Sequence, residues 1–487
     1  MTRLTWLQPE DLITHEFRQA EEEGRDVTSV RARWLAAGGS PTPPRSGTSP
    51  RPAAPQLTAL AEQLLTELDE PTEPVRRLRT RPFRPMAGVR GRQPLPAAEP
   101  LIDAAGRGGT GESPAGPTHR TRLHAAWLGR ATGCLLGKPV EKLPLKAIRA
   151  LAKSTGNWPL NTWFTARGVP PELTTTYPWN RRSAPTSLAE NINGMPEDDD
   201  LNYPLLNLLL LQRHGKAFTT QDVAALWLEE LPAARTFTAE RVAYRNLLNG
   251  IDPPRTARHH NPFREWIGAL IRADVHGWTN PDDPTAAAEQ AYRDACLTHT
   301  GNGVYGAMFA AATIARAASG TADVHQSLAA GLAVVPADSR LAKAVRHGIQ
   351  LAHGHGDFDD VADRLHEAYG THHWVHVVPN AAVLAAALTH ADGDFTASIT
   401  RAVSGGWDTD SNGATAGSIA GLLAGHPDAL PARWTAPLKN RLATSVGAFH
   451  GTGFDTLAAL TARLTAPQTA APASRTTDPT PQEAPRP

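Results

Sequence analysis

The residues with the clearest capacity for chemistry lie in Ser404-Gly405-Gly406-Trp407-Asp408-Thr409-Asp410-Ser411-Asn412-Gly413. Asp408, Asp410 and Ser411 place two carboxylates and a hydroxyl within four positions, ahead of a row of small residues from Ala414 to Gly421. Oxygen donors of this kind suit a hard cation such as Mg²⁺ or Mn²⁺ rather than zinc. Carboxylates this close repel one another in a folded interior unless something positive sits among them. A solvated turn is the alternative reading of Asp-Thr-Asp-Ser-Asn-Gly, since each residue favours turns. A second acidic group, Glu197-Asp198-Asp199-Asp200, precedes an apolar stretch rich in leucine up to Leu211. Acids there complement a helix macrodipole and cap free amides. Capping needs one or two of them, and the leucine run predicts a buried helix whose start is drawn inward. Unpaired carboxylates are expensive in such a place. Two acid-rich helix starts that meet would form a cage for two metal ions.

Three further segments carry polar groups in suggestive patterns. Gly129-Arg130-Ala131-Thr132-Gly133-Cys134-Leu135-Leu136-Gly137-Lys138-Pro139-Val140-Glu141 reads as a glycine-spaced helix that closes on a proline and an acid. Its small residues admit another backbone, and Glu141 falls just past the helix end, where loops present functional groups. His299-Thr300-Gly301-Asn302-Gly303 reads as a turn between two helices, whose amides could meet a phosphate at the following helix start. Thr371-His372-His373-Trp374-Val375-His376-Val377-Val378-Pro379-Asn380 is rich in histidine but has no helical His pair beside an acid. A polar turn with buried imidazoles is therefore expected there, not zinc.

The elements that must position these groups read as helices. Alanine- and leucine-rich periodic stretches occur at 122–136, 201–214, 222–231, 286–299, 304–318, 325–334, 341–353, 358–369, 381–389, 395–403 and 415–424. Glycine or proline punctuates most of their ends, and alternating β-branched runs are scarce. The pattern predicts an all-α body over 119–465. Ahead of it lie a helical segment over 1–39 and a Pro/Gly/Arg-rich linker with one short helix over 40–118, basic around 76–92; a disordered tail over 466–487 follows. Lysine plus arginine and aspartate plus glutamate balance at 48 each, so no overall field favours nucleic acid or an acidic membrane. Two cysteines, Cys134 and Cys296, are too few for a disulfide framework and fit a reducing compartment. With no spanning stretch or leader pattern, a cytoplasmic protein is expected.

In this order, Gly137-Lys138-Pro139-Val140-Glu141, Glu197-Asp198-Asp199-Asp200, Thr298-His299 and Asp408-Thr409-Asp410-Ser411 resemble the motifs of the ADP-ribosylglycohydrolase family. This is the group typified by dinitrogenase reductase-activating glycohydrolase and the ADP-ribosyl-acceptor hydrolases. The resemblance implies an all-α domain with two Mg²⁺ or Mn²⁺ ions in a central cleft. It implies removal of an ADP-ribosyl group from a protein or small-molecule acceptor. Carried over by position, it implies metal ligation by Glu197, Asp198, Asp199, Asp408, Asp410 and Ser411. Glu141 is the expected proton-transfer group, as base or as acid on the leaving group. The turn from His299 to Gly303 is the expected substrate contact, with Thr300, Gly301, Asn302 and Gly303 toward the diphosphate. The chain departs from the pattern at Cys134, where many members carry aspartate, at Glu197 in place of a hydroxyl residue, and at Asp200 in place of threonine.

Overall fold

The computed structural model describes residues 3–44, 47–69 and 117–465, and over these the chain is all-α. The basic stretch 76–92, the run up to Pro117 and the tail from 467 lie outside the described residues. Among the described residues no strand forms, and extended pairing is confined to single bridges, Met195 with Leu442 and Trp266 with His376. No described helix is long and apolar enough to cross a membrane.

The helices that frame the site are numbered here in chain order. They are α1 (Pro9–Glu22), α2 (Thr28–Ala36), α3 (Pro55–Asp69), α4 (Pro117–Gly137), α5 (Asp199–His214), α6 (Thr238–Leu248), α7 (Gly301–Ala318), α8 (Val377–Ala391) and α9 (Thr409–Ala424). Each periodic stretch read from the sequence falls within or largely over a helix, while Leu145–Ser154, α6, Phe454–Arg463 and shorter helices such as Pro171–Thr176 and Asp274–Trp278 were not foreseen. Within the expected linker, the described residues of 40–54 form no helix, yet the segment is tied down. Ser49 donates from its amide to Asp11 at 3.0 Å, and Gly47 accepts the Trp6 amide at 2.6 Å.

The centre of the molecule is the pairing of α4 with α9. A Cβ added to Gly129 would lie 2.1 Å from the Gly417 oxygen, one on Gly133 1.8 Å from the Gly413 oxygen, and one on Gly137 2.3 Å from the Thr409 carbon. Contacts that rise along α4 as they fall along α9 mean that the two helices run antiparallel, backbone to backbone. Only hydrogen fits between them. The start of α9 is thereby set beside the end of α4. The Thr409 hydroxyl fixes that register by donating to the Gly137 carbonyl at 2.8 Å.

α5 is buried from Asp200 to Gln212. Its leucines each remove apolar surface worth about 1.5–3 kcal/mol from water. Asp198 caps it, accepting from the Asp200 amide at 2.9 Å. Pro204 lies inside the helix and lacks an N–H, which leaves the Asp200 carbonyl without its helical partner. The Arg130 Nε of α4 fills that vacancy at 2.8 Å. A residue that weakens the helix thus ties α5 to α4.

The N-terminal helices form a layer on this body. Glu16 of α1 receives Arg264 in a fork, Nη1 at 2.6 Å and Nη2 at 2.9 Å, and Glu23 takes its Nε at 2.8 Å. Trp6 and His15 pack edge-on against Phe263 and Trp266, and His373 stacks flat on Trp266 at 4.2 Å.

Candidate metal centre and cleft

The starts of α5 and α9 and the segment leaving α4 meet on one cavity of about 650 Å³. Glu141, Glu197, Asp198, Asp199, Asp408, Asp410 and Ser411 all line it, together with Lys138, Asn180, Phe237, Glu240, Trp374 and Trp6. Every acid that sequence reasoning brought to the site therefore reaches the same cleft. Both helix starts turn their positive ends toward these carboxylates.

The turn before α9 is built by Gly406 and Trp407, at φ +84° and +56°. Glycine takes the left-handed conformation freely, whereas tryptophan needs support. Trp407 receives it by stacking on His366, with centroids 3.6 Å apart, while the His366 Nε2 lies 2.9 Å from the Gly405 carbonyl oxygen. Asn380 of α8 then locks the helix start, its Oδ1 accepting from the Asp408 amide at 3.0 Å and from Asn412 at 2.7 Å.

Glu141, Asp408 and Asp410 each bring an oxygen to within 4.8 Å of the others'. Asp410 is buried, and burial followed by the charges of Glu141 and Asp198 pushes its carboxyl up to about 7. Burial, then Asp410, raises Asp408 well above the usual carboxylate range; burial, then Asp198 and Asp410, does the same to Asp199. Lys138 offsets only part of the repulsion at Asp199 and Asp410, so these groups do not ionise together without further positive charge. An oxygen-ligated divalent cation is that kind of charge. Glu141 is held in place by Asn180, which donates to Oε2 at 2.6 Å, and by Lys142 at 3.0 Å from Oε1.

The other side of the cleft is different. Cys134, Asp198 and Asp200 also cluster, with Cys134 Sγ 3.8 Å from Asp200 Oδ2. Here protein cations are already present. The buried ammonium of Lys138 contacts Asp198 Oδ2 directly, and Arg130 Nη2 reaches Asp200 at 3.5 Å. Burial alone would raise Asp198, but Lys138 together with the Asp200 amide and Cys134 holds this carboxyl below the usual range. Burial pushes the Cys134 thiol well up, so it stays protonated.

Two of the expected site segments have other partners in the structure. Glu197 lines the cleft, but Asn202 at 2.9 Å and Ser445 at 2.7 Å donate to one oxygen and Arg235 at 2.9 Å takes the other. Both of its carboxylate oxygens thus have protein partners. The turn from His299 to Gly303 does not line the cavity. The start of α7 already holds an anion, because Glu265 accepts from the Asn302 amide at 3.0 Å and its side-chain amide at 2.9 Å. Gly301 is at φ +50° and leaves room for that carboxylate, which a Cβ would meet at 2.4 Å. The Thr300 amide is spent on the Arg264 carbonyl at 2.9 Å. His299 is buried with its Nδ1 2.6 Å from the Thr298 hydroxyl. The histidine segment behaves as a structural turn, as expected: His376 caps α8 through the Val378 amide at 3.1 Å.

Sequence reasoning passed over Lys138, Arg130 and Asn380, although all three lie inside segments it singled out. Lys138 looks like a solvated charge at a helix end, and Asn380 like a turn residue. Arg130, in the middle of a run of small residues, is the one whose charge should have demanded a buried acid.

The family model described as ADP-ribosylglycohydrolase matches residues 115–471. A solved structure titled an ADP-ribosylglycohydrolase-related protein complex is 22% identical, over 71% of this chain and 99% of its own, with a TM-score of 0.44. No curated protein matches the chain.

Proposed function

Because the chain belongs to the ADP-ribosylglycohydrolase family over residues 115–471, we propose that it is a metal-dependent hydrolase cleaving the glycosidic bond of an ADP-ribosyl group. The acceptor would be a protein side chain or a small molecule. The observation that carries this reading is the convergence of Glu141, Asp408 and Asp410 within 4.8 Å on one cleft wall. Asp199, Asp408, Asp410 and Ser411 would hold Mg²⁺ or Mn²⁺, and Glu141 stands beside them. The bound cation would supply Lewis acidity and a template for the vicinal ribose hydroxyls.

The chain's own residues do the rest. Cleavage at the anomeric carbon passes through an oxocarbenium-like state, which negative charge nearby stabilises. Glu141 moves the proton, either from the attacking water or to the departing acceptor atom. Asn180 fixes its orientation by holding one oxygen. Phe237 and Trp374 give the cleft apolar, partly exposed rings for the flat parts of a substrate, and Arg182 stands at the same cleft.

A non-catalytic binder of ADP-ribosyl groups is the second reading, favoured by the Lys138–Asp198 pair that neutralises part of the acidic cluster. The experiment is incubation of the full chain with Mg²⁺ or Mn²⁺ and a panel of ADP-ribosylated proteins and small molecules. Release of ADP-ribose that stops on chelation supports the hydrolase. Metal-dependent binding without release would favour the binder, and release of a different sugar product would point to another glycoside.

A further inference from the structure

The expected pair of ions and the donors present do not agree. A second ion needs oxygens beyond any that it shares with the first, and on the Lys138 side of the cleft the carboxylates are already engaged. Asp198 is engaged at both ends, with Oδ1 accepting the Asp200 amide at 2.9 Å and Oδ2 against the Lys138 ammonium. Asp200 faces Arg130 through Oδ1, while its Oδ2 lies 3.4 Å from the Ser411 hydroxyl and 3.8 Å from the Cys134 sulfur. Cys134 offers a soft sulfur, a poor ligand for Mg²⁺ or Mn²⁺. Glu197 is spent on Arg235, Asn202 and Ser445.

We infer that the ammonium of Lys138 takes the place of the second cation, so that each chain loads one divalent ion, held on the Asp199, Asp408, Asp410 and Ser411 side. The position of Lys138 argues for this. It follows Gly137, whose lack of a side chain lets the end of α4 touch the start of α9, and the short 3-10 turn Lys138–Val140 keeps it at the cleft. Its side chain is only 7% exposed, as enclosed as the 8% of Asp198, so this is a built-in charge and not a surface lysine that has folded over. A buried ammonium persists only with such a partner. A divalent ion brought against Asp198 would have to displace it at the cost of like-charge repulsion. This inference rests on the metal-dependent reading above and specifies its stoichiometry. It also makes Lys138 a positioning residue, a fixed positive charge where a substrate hydroxyl or phosphate oxygen would otherwise meet a metal.

The test is manganese stoichiometry on the full chain, stripped with chelator and reloaded with Mn²⁺, read by elemental analysis and electron paramagnetic resonance. One Mn²⁺ per chain with an uncoupled six-line spectrum is expected. Lys138→Met should raise the count to two and produce the exchange-coupled spectrum of ions roughly 3.5–4 Å apart. Combining it with Cys134→Asp should strengthen the second site. If Lys138→Met fails to fold, Lys138→Gln serves instead, and the wild-type count stands by itself. Two coupled ions in the wild type, or one ion still in the folded lysine variants, overturns the inference while leaving the hydrolase reading standing. No bound Mn²⁺ at all overturns both.

Discussion

At the scale of single residues, the cleft divides carboxylates by what stands next to them. Asp198 pairs with Lys138 and Glu197 with Arg235, whereas the acids Glu141 and Asp198 around Asp410 outweigh the charge of Lys138 there. Two predictions follow from that sorting. Glu141→Gln keeps size and the hydrogen bond from Asn180 but removes the titratable proton. It should slow turnover on a confirmed substrate by roughly a hundredfold or more with little change in ADP-ribose affinity. Steady-state kinetics beside calorimetric binding checks this, and near-normal turnover would move proton transfer to one of the aspartates. The second concerns metal-free protein. Asp410 titrates near 7 when folded, above its unfolded value, so the folded state keeps a proton that the unfolded chain has lost. Its stabilising effect is complete below the unfolded value and lost as pH rises through the folded one. Chelated protein should therefore melt progressively earlier between about pH 4 and about pH 7, with Asp410→Asn flattening the slope and Mn²⁺ raising the melting temperature at the upper end. Identical pH profiles for wild type and Asp410→Asn would contradict it. The acids themselves were legible in the sequence because four in a row ahead of leucines exceeds what capping needs. Their pairing was not legible, since Arg235 lies 38 positions from Glu197 and Lys138 lies 60 from Asp198.

At the scale of elements, the site exists because α4 and α9 touch backbone to backbone. Spacing by four puts Gly129, Gly133 and Gly137 on one stripe of α4, and Gly413 and Gly417 answer on α9. Gly133→Ala places a methyl 1.8 Å from the Gly413 oxygen, where no flexible side chain can yield. The helices must separate, at a cost of about 1–3 kcal/mol or more. A urea midpoint shift of that size, together with weakened Mn²⁺ binding, is the expected result. Loss of stability with full metal affinity would show that the stripe supports packing but does not set the cleft. The glycine periodicity was readable from sequence, as were the long alanine-rich helices. α6 was not, because its buried face carries Glu240 and Arg241, which read as solvent-facing charges. Their partners, Arg272 at 3.0 Å from Glu240 and Thr5 at 2.6 Å from Arg241, come from distant parts of the chain. The turn before α7 misled for a similar reason. A glycine-rich helix start announces anion binding without saying whose anion, and here Glu265 supplies it.

At the scale of the whole molecule, the N-terminal layer is joined to the cleft rather than appended to it. Its helices were legible by periodicity, but Glu16, Glu22 and Glu23 look like a solvated face until Arg264 and His376 arrive from more than two hundred residues away. Arg264 is buried and has Glu16 and Glu23 as its acids; losing either leaves charge uncompensated in the interior. The far end of α3 is tied as well, with Asp69 Oδ2 3.1 Å from His259 Nδ1. Trp6 goes furthest: it lies at φ +67° with Thr5 bound by Arg241 and the Leu7 carbonyl accepting from Arg245 at 3.4 Å, and it lines the cavity. A strained, clamped aromatic on a cleft wall marks a place where the surroundings impose conformation on the residue. A chain shortened to begin at Pro117 would lose that wall, uncover Phe263 and Trp266, and strand Arg264. It should melt well below the full chain or aggregate, and Glu16→Gln in the full chain should by itself cost up to about 3–5 kcal/mol, the range for breaking a buried pair. Thermal and urea unfolding of the three proteins measures this. If the shortened chain unfolds at the full-length midpoint and binds ADP-ribose as well, the layer is dispensable and Trp6 is a bystander. If it folds but binds ADP-ribose more weakly, while Glu16→Gln loses stability and not affinity, then the layer supplies both a buttress for the fold and part of the substrate wall.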